Sequence, residues 1–372
     1  MNRALAWLCL ALAASLAPLP AASAGGLKVA AIFALTGPAA GQNADSVLGI
    51  RLAAEELNAR GGVLGQPLEV VFIDNKSTPI GSKVAAEEAV RMGVSAILGA
   101  NWSSHSLAVA RVAQDSGIPM ITPISTNPAV TKVGDCIFRV CYTDEFQGRV
   151  MARLASGELK AGTALTFIDV GDDYSLGLAK AFREDFVALG GRLATQIHYK
   201  LKQRDFGADI SQAKAAQAEV CFLSGHDESG VIAAGLAAAE VGCIPLGGDG
   251  WVGGHFLAMG GEKIARGYYC THWSPEVDSP ASRAFVARYG TDPRIDASVA
   301  LAYDATMLLA EAATRAGSFE RRSVREALAA TRGFPGVTGD ITFDAGGDPL
   351  KGAVIMELVN GRARYYKTVA PN

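Results

Sequence analysis

From Leu27 onward the chain alternates short apolar runs with stretches whose apolar residues recur at helical spacing, and this alternation limits the fold more than any single motif. The run LKVAAIFAL is followed by a helix with its apolar stripe at Val47, Ile50, Ala54 and Leu57, ended by Gly61 and Gly62. Strand LEVVFID (68–74), helix 79–91 opened by Pro79, strand SAILGA (95–100), helix 103–116, strand PMIT (119–122) and strand IFRVCY (137–142) complete a first round. A second round reads helix 144–156, strand ALTFIDV (164–170), helix 175–189, strand 193–199, helix 206–217, strand EVCFLSG, helix 229–241, strand IPLGG and strand GYYCTH. Strands separated by helices pair in parallel with helices on both faces, so two successive rounds give two such sheets. Helices near 280–289, 297–316 and 320–331 and strands near 340–343, 352–358 and 363–368 are too few for a third domain and complete the first two.

The expected fold is therefore α/β, two doubly wound parallel-sheet lobes. No low-complexity linker separates them, so they are joined by three short hinge crossings near Tyr142–Asp144, His272–Ser274 and Asp348–Leu350. The N-terminal lobe is placed at 25–143 plus 274–348 and the C-terminal lobe at 144–273 plus 349–372.

Residues 1–24 stand apart: Arg3, an apolar core broken by Pro18 and Pro20, and the small-residue run Ala22-Ser23-Ala24 read as a secretory signal peptide cleaved near Ala24. The core is short for a membrane span of about 20 residues. Removing Arg3 from the 34 basic residues leaves 33 against 37 acidic ones, a net of −4 without a basic run, which disfavours nucleic acid as a partner. Of the six cysteines, Cys9 leaves with the signal peptide, and an odd remainder cannot all pair. Cys136 and Cys141 flank one extended stretch, where five steps of about 3.3 Å separate their Cα atoms by roughly 16 Å, beyond disulfide reach. The cysteines read mainly as small buried residues, with room for one long-range bridge. No Cys/His spacing suits zinc and no GxxxxGK[ST] occurs, so neither a metal nor a nucleotide cofactor is expected. Gly248, Gly250 and Gly253 match GxGxxG, but the following helix is cut short at Gly260-Gly261 and Asp249 would set a negative charge beside a pyrophosphate.

In open α/β sheets ligands bind beyond the carboxyl ends of the strands, so the loops there carry the functional reading. They are TGPAAGQN (36–43), NWSSHS (101–106), TPISTNP (122–128), VGDDYS (170–175), SGHDES (224–229) and GGDGW (247–251). Ser103 or Ser104 is expected at a helix N-cap, where hydroxyls and orphan N–H groups make either a plain cap or a carboxylate-sized anion site. Ser125 and Thr126 from the adjacent strand end add two hydroxyls to it. Asp249, between glycines, is either a turn residue or a carboxylate facing an ammonium group. Trp102, Tyr174, Trp251 and His226 sit at strand ends, as packing or as pocket walls. A serine hydrolase would need a base beside Ser103 or Ser104. His105 points about 100° away on a helix, and no GxSxG exists.

Taken together, TGPAAGQN, GGVLGQPLEVVFIDNKSTP, the serine loop, GIPMITPISTNPAVT, IFRVCYTDEFQG, DDYSLGLAKAF and PLGGDGW resemble the type I periplasmic solute-binding proteins of branched-chain amino acid ABC transporters, from about Leu27 to Lys367. The resemblance implies two lobes joined by a three-crossing hinge, a periplasmic location, a monomer, and a membrane permease as partner. It also implies that Ser103, Ile124, Ser125 and Thr126 hold a ligand carboxylate, Thr126 also meeting the ammonium group. Tyr174 would close over the ligand, Asp249 would bind the ammonium, and His226 falls at or beside an aromatic position. Three positions depart from the family pattern: Gln42 replaces a frequent aromatic, Trp102 a small residue, and His226 a tyrosine. The expectation is a non-enzymatic receptor for an amino acid or related small polar solute. The alternatives are a periplasmic sensor of an amide or urea-like ligand and, last, a serine hydrolase.

Overall fold

The computed structural model describes residues 26–200 and 203–371, so the signal-peptide reading of residues 1–24 lies outside the described residues. The first round forms β1 (Lys28–Phe33), α1 (Ala40–Ala59), β2 (Glu69–Asp74), α2 (Pro79–Arg91), β3 (Ala96–Gly99), α3 (Ser103–Asp115), β4 (Met120–Thr122) and β5 (Ile137–Arg139). Their order in the sheet is β2-β1-β3-β4-β5, and every pair is parallel. Strand β5 stops at Arg139, three residues short of the expected Tyr142, because Val140 N–H reaches back to the Thr122 carbonyl where β4 itself ends.

The second round forms α4 (Asp144–Arg153), β6 (Thr163–Asp169), α5 (Asp173–Ala188), β7 (Arg192–Tyr199), α6 (Gly207–Ala216), β8 (Val220–Leu223), α7 (Glu228–Ala238), β9 (Ile244–Gly247), α8 (Gly254–Ala258) and β10 (Arg266–Thr271). The remainder forms α9 (Pro280–Tyr289), α10 (Ala297–Ala316), α11 (Arg321–Ala329), β11 (Phe334–Gly336), β12 (Gly339–Ile341), β13 (Ala353–Val359) and β14 (Arg362–Val369). The second sheet runs β14-β13-β10-β9-β8-β6-β7. Strands β7 to β10 are parallel, as the alternation requires, whereas β13 and β14 add antiparallel to its edge. Only the turn at Asn360-Gly361 separates β13 from β14, too short for a parallel crossover. Strand β12 falls at the expected strand near 340–343, whereas its partner β11 was not legible from FPG, where proline and glycine break the alternation.

Each sheet buries both faces. Helix α10 crosses the five-stranded sheet with Leu301, Leu308 and Leu309 against Val29, Ala31, Phe33 and Leu98, and its alanines let α1 approach. In the second lobe Phe182 stacks on Phe222 at 4.1 Å, with Phe186 beside it, all fully buried. Each such side chain contributes about 1.5–3 kcal/mol by leaving water. Caps fix where the helices begin: the Thr78 side chain accepts from Gly81 N–H, Asp172 from Ser175 N–H, and Asp296 from Val299 N–H.

Cys221 on β8 is disulfide-bonded to Cys243, just before β9, with Cα atoms 5.7 Å apart. Cys136, Cys141 and Cys270 are free and buried, so the neighbouring pair in CIFRVC is unbridged. No helix among the described residues is long and apolar enough to cross a membrane. Closing a loop of 22 residues restricts the unfolded chain by about 3 kcal/mol on a chain-entropy basis. The double variant Cys221→Ala/Cys243→Ala should lose about that much in urea unfolding; an unmoved midpoint would show that the bridge does not stabilise the fold.

Candidate functional site

One cavity collects the loops at the carboxyl ends of both sheets. Gln42 reaches it from α1, Asn101, Trp102 and Ser103 from the end of β3, and Ile124 from the loop after β4. Tyr174 comes from α5 after β6, His226 from the loop after β8, and Asp249, Gly250 and Val252 from the segment after β9, while Ser298 arrives at the start of α10. Of the sequence candidates, Gln42, Trp102, Ser103, Ile124, Tyr174, His226 and Asp249 line this cavity. Ser125, Thr126 and Trp251 are fully or nearly fully buried behind it.

Glycines give the walls their close fit. Gly99 ends β3 at φ +126°, and a Cβ there would stand 2.2 Å from the Ile32 carbonyl oxygen, so only glycine lets the chain turn into the loop that carries Trp102 and Ser103. Gly250 donates its N–H to the Tyr174 hydroxyl at 2.9 Å, and a Cβ there would lie 2.6 Å from the Gly225 carbonyl.

Ser103 is the first residue of α3 rather than its N-cap. Trp102 takes the cap position with extended backbone and makes no side-chain cap bond. The Ser103 hydroxyl accepts from Asn127 N–H at 3.2 Å, which ties it to the loop after β4 and leaves its own hydrogen to donate. Beneath it, Ser125 and Ser106 share a hydrogen bond of 2.6 Å. Ser125 Oγ also donates to the Asn101 carbonyl at 2.7 Å, and Thr122 Oγ1 to the Ala100 carbonyl at 2.8 Å. These hydroxyls clasp the two loops together. The fully buried Arg139 locks the second of them from behind, donating to the Ser125 and Asn127 carbonyls, Thr131 and the Asp348 carboxylate. Neither Ser106 nor Arg139 was singled out from the sequence, because a serine inside a helix and an arginine inside a strand carry no motif.

Asp249 lies 5% exposed on the opposite wall. Its Oδ1 accepts from Gln147 Nε2 at 2.9 Å, its backbone N–H donates to Gln147 Oε1 at 3.2 Å, and its Oδ2 meets His272 Nε2 at 2.9 Å. Burial lowers the pKa of His272 by more than Asp249 raises it, so the imidazole is neutral and donates through Nε2. Every hydrogen-bond partner of this carboxylate among the described residues is thus uncharged. Gln147 and His272 were missed by sequence reasoning, since their link to Asp249 exists only once α4 and the end of β10 are packed together. Asp144, which also accepts from Gln147 at 3.0 Å, is pushed by burial up to about 8 and stays protonated at neutral pH.

The aromatic wall is a column of rings. Tyr174 stacks on His226 at 4.8 Å, His226 on Trp102 at 4.4 Å and 7°, and Trp102 on His105 at 5.3 Å. His105 is therefore interior, 2% exposed, and burial drives it down to about 4, so it is neutral. No hydrogen bond among the described residues joins a serine hydroxyl to a histidine ring, as a hydrolytic serine would need. His226 behaves oppositely. Burial disfavours its charge, yet the hydrogen bond from its Nε2 to Asp172 at 3.2 Å and the charges of Asp172, Glu228 and Asp227 outweigh that and raise it to about 9. Gln42 completes the wall: its Oε1 accepts from the Trp102 indole N–H at 2.8 Å, while its Nε2 donates to Asp227 at 2.8 Å and to the Gly250 carbonyl at 3.2 Å. No group of three His, Cys, Asp or Glu side chains among the described residues is placed to hold a metal.

Because His226 is protonated more readily in the folded chain than in the unfolded one, its pair with Asp172 contributes fully below about pH 6.5 and is lost as pH rises through about 9. The melting-temperature gap between the wild type and His226→Gln should accordingly be widest near pH 6 and narrow by pH 9.5. A gap that is constant with pH would mean that the imidazole is neutral throughout.

Comparison with known proteins identifies the family of the whole chain. Residues 26–363 match the family model described as periplasmic binding protein. The Leu/Ile/Val-binding protein BraC3 of Rhizobium johnstonii is 30% identical over 341 residues, covering 91% of this chain and 92% of that one. A leucine binding protein, LivK, of Thermotoga maritima superposes with a TM-score of 0.89 at 33% identity, over 93% of this chain and 99% of the other. The branched-chain amino acid transporter substrate binding protein LivJ of Streptococcus pneumoniae, solved in complex with isoleucine, gives 0.87 at 30% identity, over 93% and 100%. A buried carboxylate held by neutral hydrogen-bond partners on one wall and a serine at a helix start on the other meet between two doubly wound sheets, in a chain that belongs to the periplasmic binding protein family of amino-acid ABC transporters.

Proposed function

We propose that the chain captures an α-amino acid between its two lobes and presents it to a membrane permease, without chemistry on the ligand. The observation that carries this reading is the Asp249 carboxylate, buried, aimed into the cavity and hydrogen-bonded only to the neutral Gln147 and His272. A buried carboxylate with no counter-charge is costly, and a ligand ammonium group supplies the missing cation through a charge-assisted bond. On the facing wall the Ser103 hydroxyl and the free N–H groups at the start of α3 suit the ligand's carboxylate. Thr126 and the loop carrying Ile124 and Ser125 frame that end, and Tyr174 covers the ligand beside Asp249.

Because the two charged ends of the ligand are held by different lobes, 25–143 plus 274–348 and 144–273 plus 349–372, binding favours the closed arrangement. The crossings near Tyr142–Asp144, His272–Ser274 and Asp348–Leu350 serve as the hinge. Trp251, stacked on Phe256 at 4.4 Å, supports the Asp249 segment rather than touching the ligand. The N-terminal 24 residues direct export to the periplasm, and the mature chain works as a monomer.

Calorimetry with a panel of amino acids tests this reading. Asp249→Asn should weaken binding at least tenfold, since a hydrogen bond to a charged group contributes about 1.5–3 kcal/mol. Ser103→Ala should weaken it as well, with the fold left intact in a melting curve. Undiminished affinity in the Asp249 variant would remove the assignment.

A further inference from the structure

The part of the cavity remote from Asp249 and Ser103 differs in character from a pocket for a branched aliphatic group. Its wall includes Trp102, whose two faces are already covered, by His226 lying parallel at 4.4 Å and by His105 at 5.3 Å. The indole N–H is held by Gln42, and Gln42 is in turn held by Asp227 and the Gly250 carbonyl, so the indole cannot swing away without breaking a chain of bonds between the two lobes. The whole cavity, its Asp249 and Ser103 ends included, has a volume of about 30 Å³, where one water takes about 10–15 Å³ on the same measure.

The same space holds an unused acceptor. Asn101 is 5% exposed and lines the cavity; its Nδ2 donates to the Gln42 carbonyl at 3.4 Å, while its Oδ1 is buried with no partner among the described residues. A buried acceptor without a donor is destabilising, and a ligand donor placed against it recovers that cost.

We infer that the site selects α-amino acids with a short side chain ending in a hydrogen-bond donor, of the serine, threonine or asparagine class, and that Trp102 is the residue that excludes leucine, isoleucine and valine. The inference rests on the amino-acid reading above. A hydroxyl or primary amide supplies the donor that Asn101 Oδ1 lacks, whereas an isobutyl or sec-butyl group would meet the fixed indole and leave Asn101 unpaired. Sites built to bond a polar group reject isosteres lacking it more strongly than apolar pockets reject an extra methylene.

Titration calorimetry on the full mature chain against serine, threonine, asparagine, alanine, leucine, isoleucine and valine decides the matter. At least one of the three polar amino acids should bind tenfold or more tighter than leucine, isoleucine and valine. Trp102→Ala should raise leucine affinity relative to serine at least tenfold, and Asn101→Ala should weaken serine by a larger factor than it weakens alanine; melting curves establish that both variants fold. Leucine, isoleucine or valine binding the wild type as tightly as the polar set overturns the selectivity and leaves amino-acid capture standing. Failure of every amino acid to bind overturns the amino-acid reading itself, and the selectivity with it.

Discussion

A carboxylate kept inside a protein without a cation is the constraint around which this structure is arranged. Asp249 is held by Gln147 from α4 and by His272 at the end of β10, both of them neutral, in a segment whose glycines let Tyr174 come within hydrogen-bonding distance of the backbone. His272 is itself pinned by Tyr142, whose ring stacks on it at 3.8 Å, and Tyr142 lies in the stretch that leaves the first sheet for α4. The residues that aim the carboxylate are therefore also residues where the chain passes between sheets. Neutral donors fix the orientation of the group without satisfying its charge, which reserves the strongest interaction for a cationic ligand.

The opposite wall solves a different problem by the same means. Thr122, Ser106, Ser125 and Arg139 use up the carbonyls and hydroxyls of two adjacent loops on one another, so the loops are rigid. Ser103 is bonded only as an acceptor and keeps a donor for the cavity. Such supporting bonds hold a site in place in advance, and less of the binding free energy goes into ordering it. Gln42 to Asp227 and Asn127 to the Asp173 carbonyl join loops at the ends of the two sheets directly.

Much of the fold could be read from the sequence because period and punctuation agreed there: the runs from LKVAAIFAL to GYYCTH became parallel strands in the expected order along the chain. The antiparallel edge made by β13 and β14 could not be read, since strand direction depends on where the chain returns rather than on residue pattern. Within the site, strand-end position singled out Trp102, Ser103, Tyr174, His226 and Asp249, and the family resemblance added Gln42 and Ile124; all seven line the cavity. Strand-end position could not show which hydroxyls face inward. Ser125 turned out to be spent on Asn101 and Ser106, and Ser103 to begin the helix instead of capping it. Gln147, His272, Asn101 and Arg139 were missed for one reason: their roles come from contacts between residues far apart in the chain, and nothing in their local sequence records those contacts.

The central claim is that closure needs both charged ends of one small molecule, each held by a different lobe. Small-angle X-ray scattering on the mature chain, with a bound amino acid and with the matching carboxylic acid lacking only the amino group, addresses it most directly. The account predicts a smaller radius of gyration with the amino acid and no change with the deaminated acid at equal concentration. Equal contraction by the deaminated acid would show that Asp249 does not drive closure and would contradict the account.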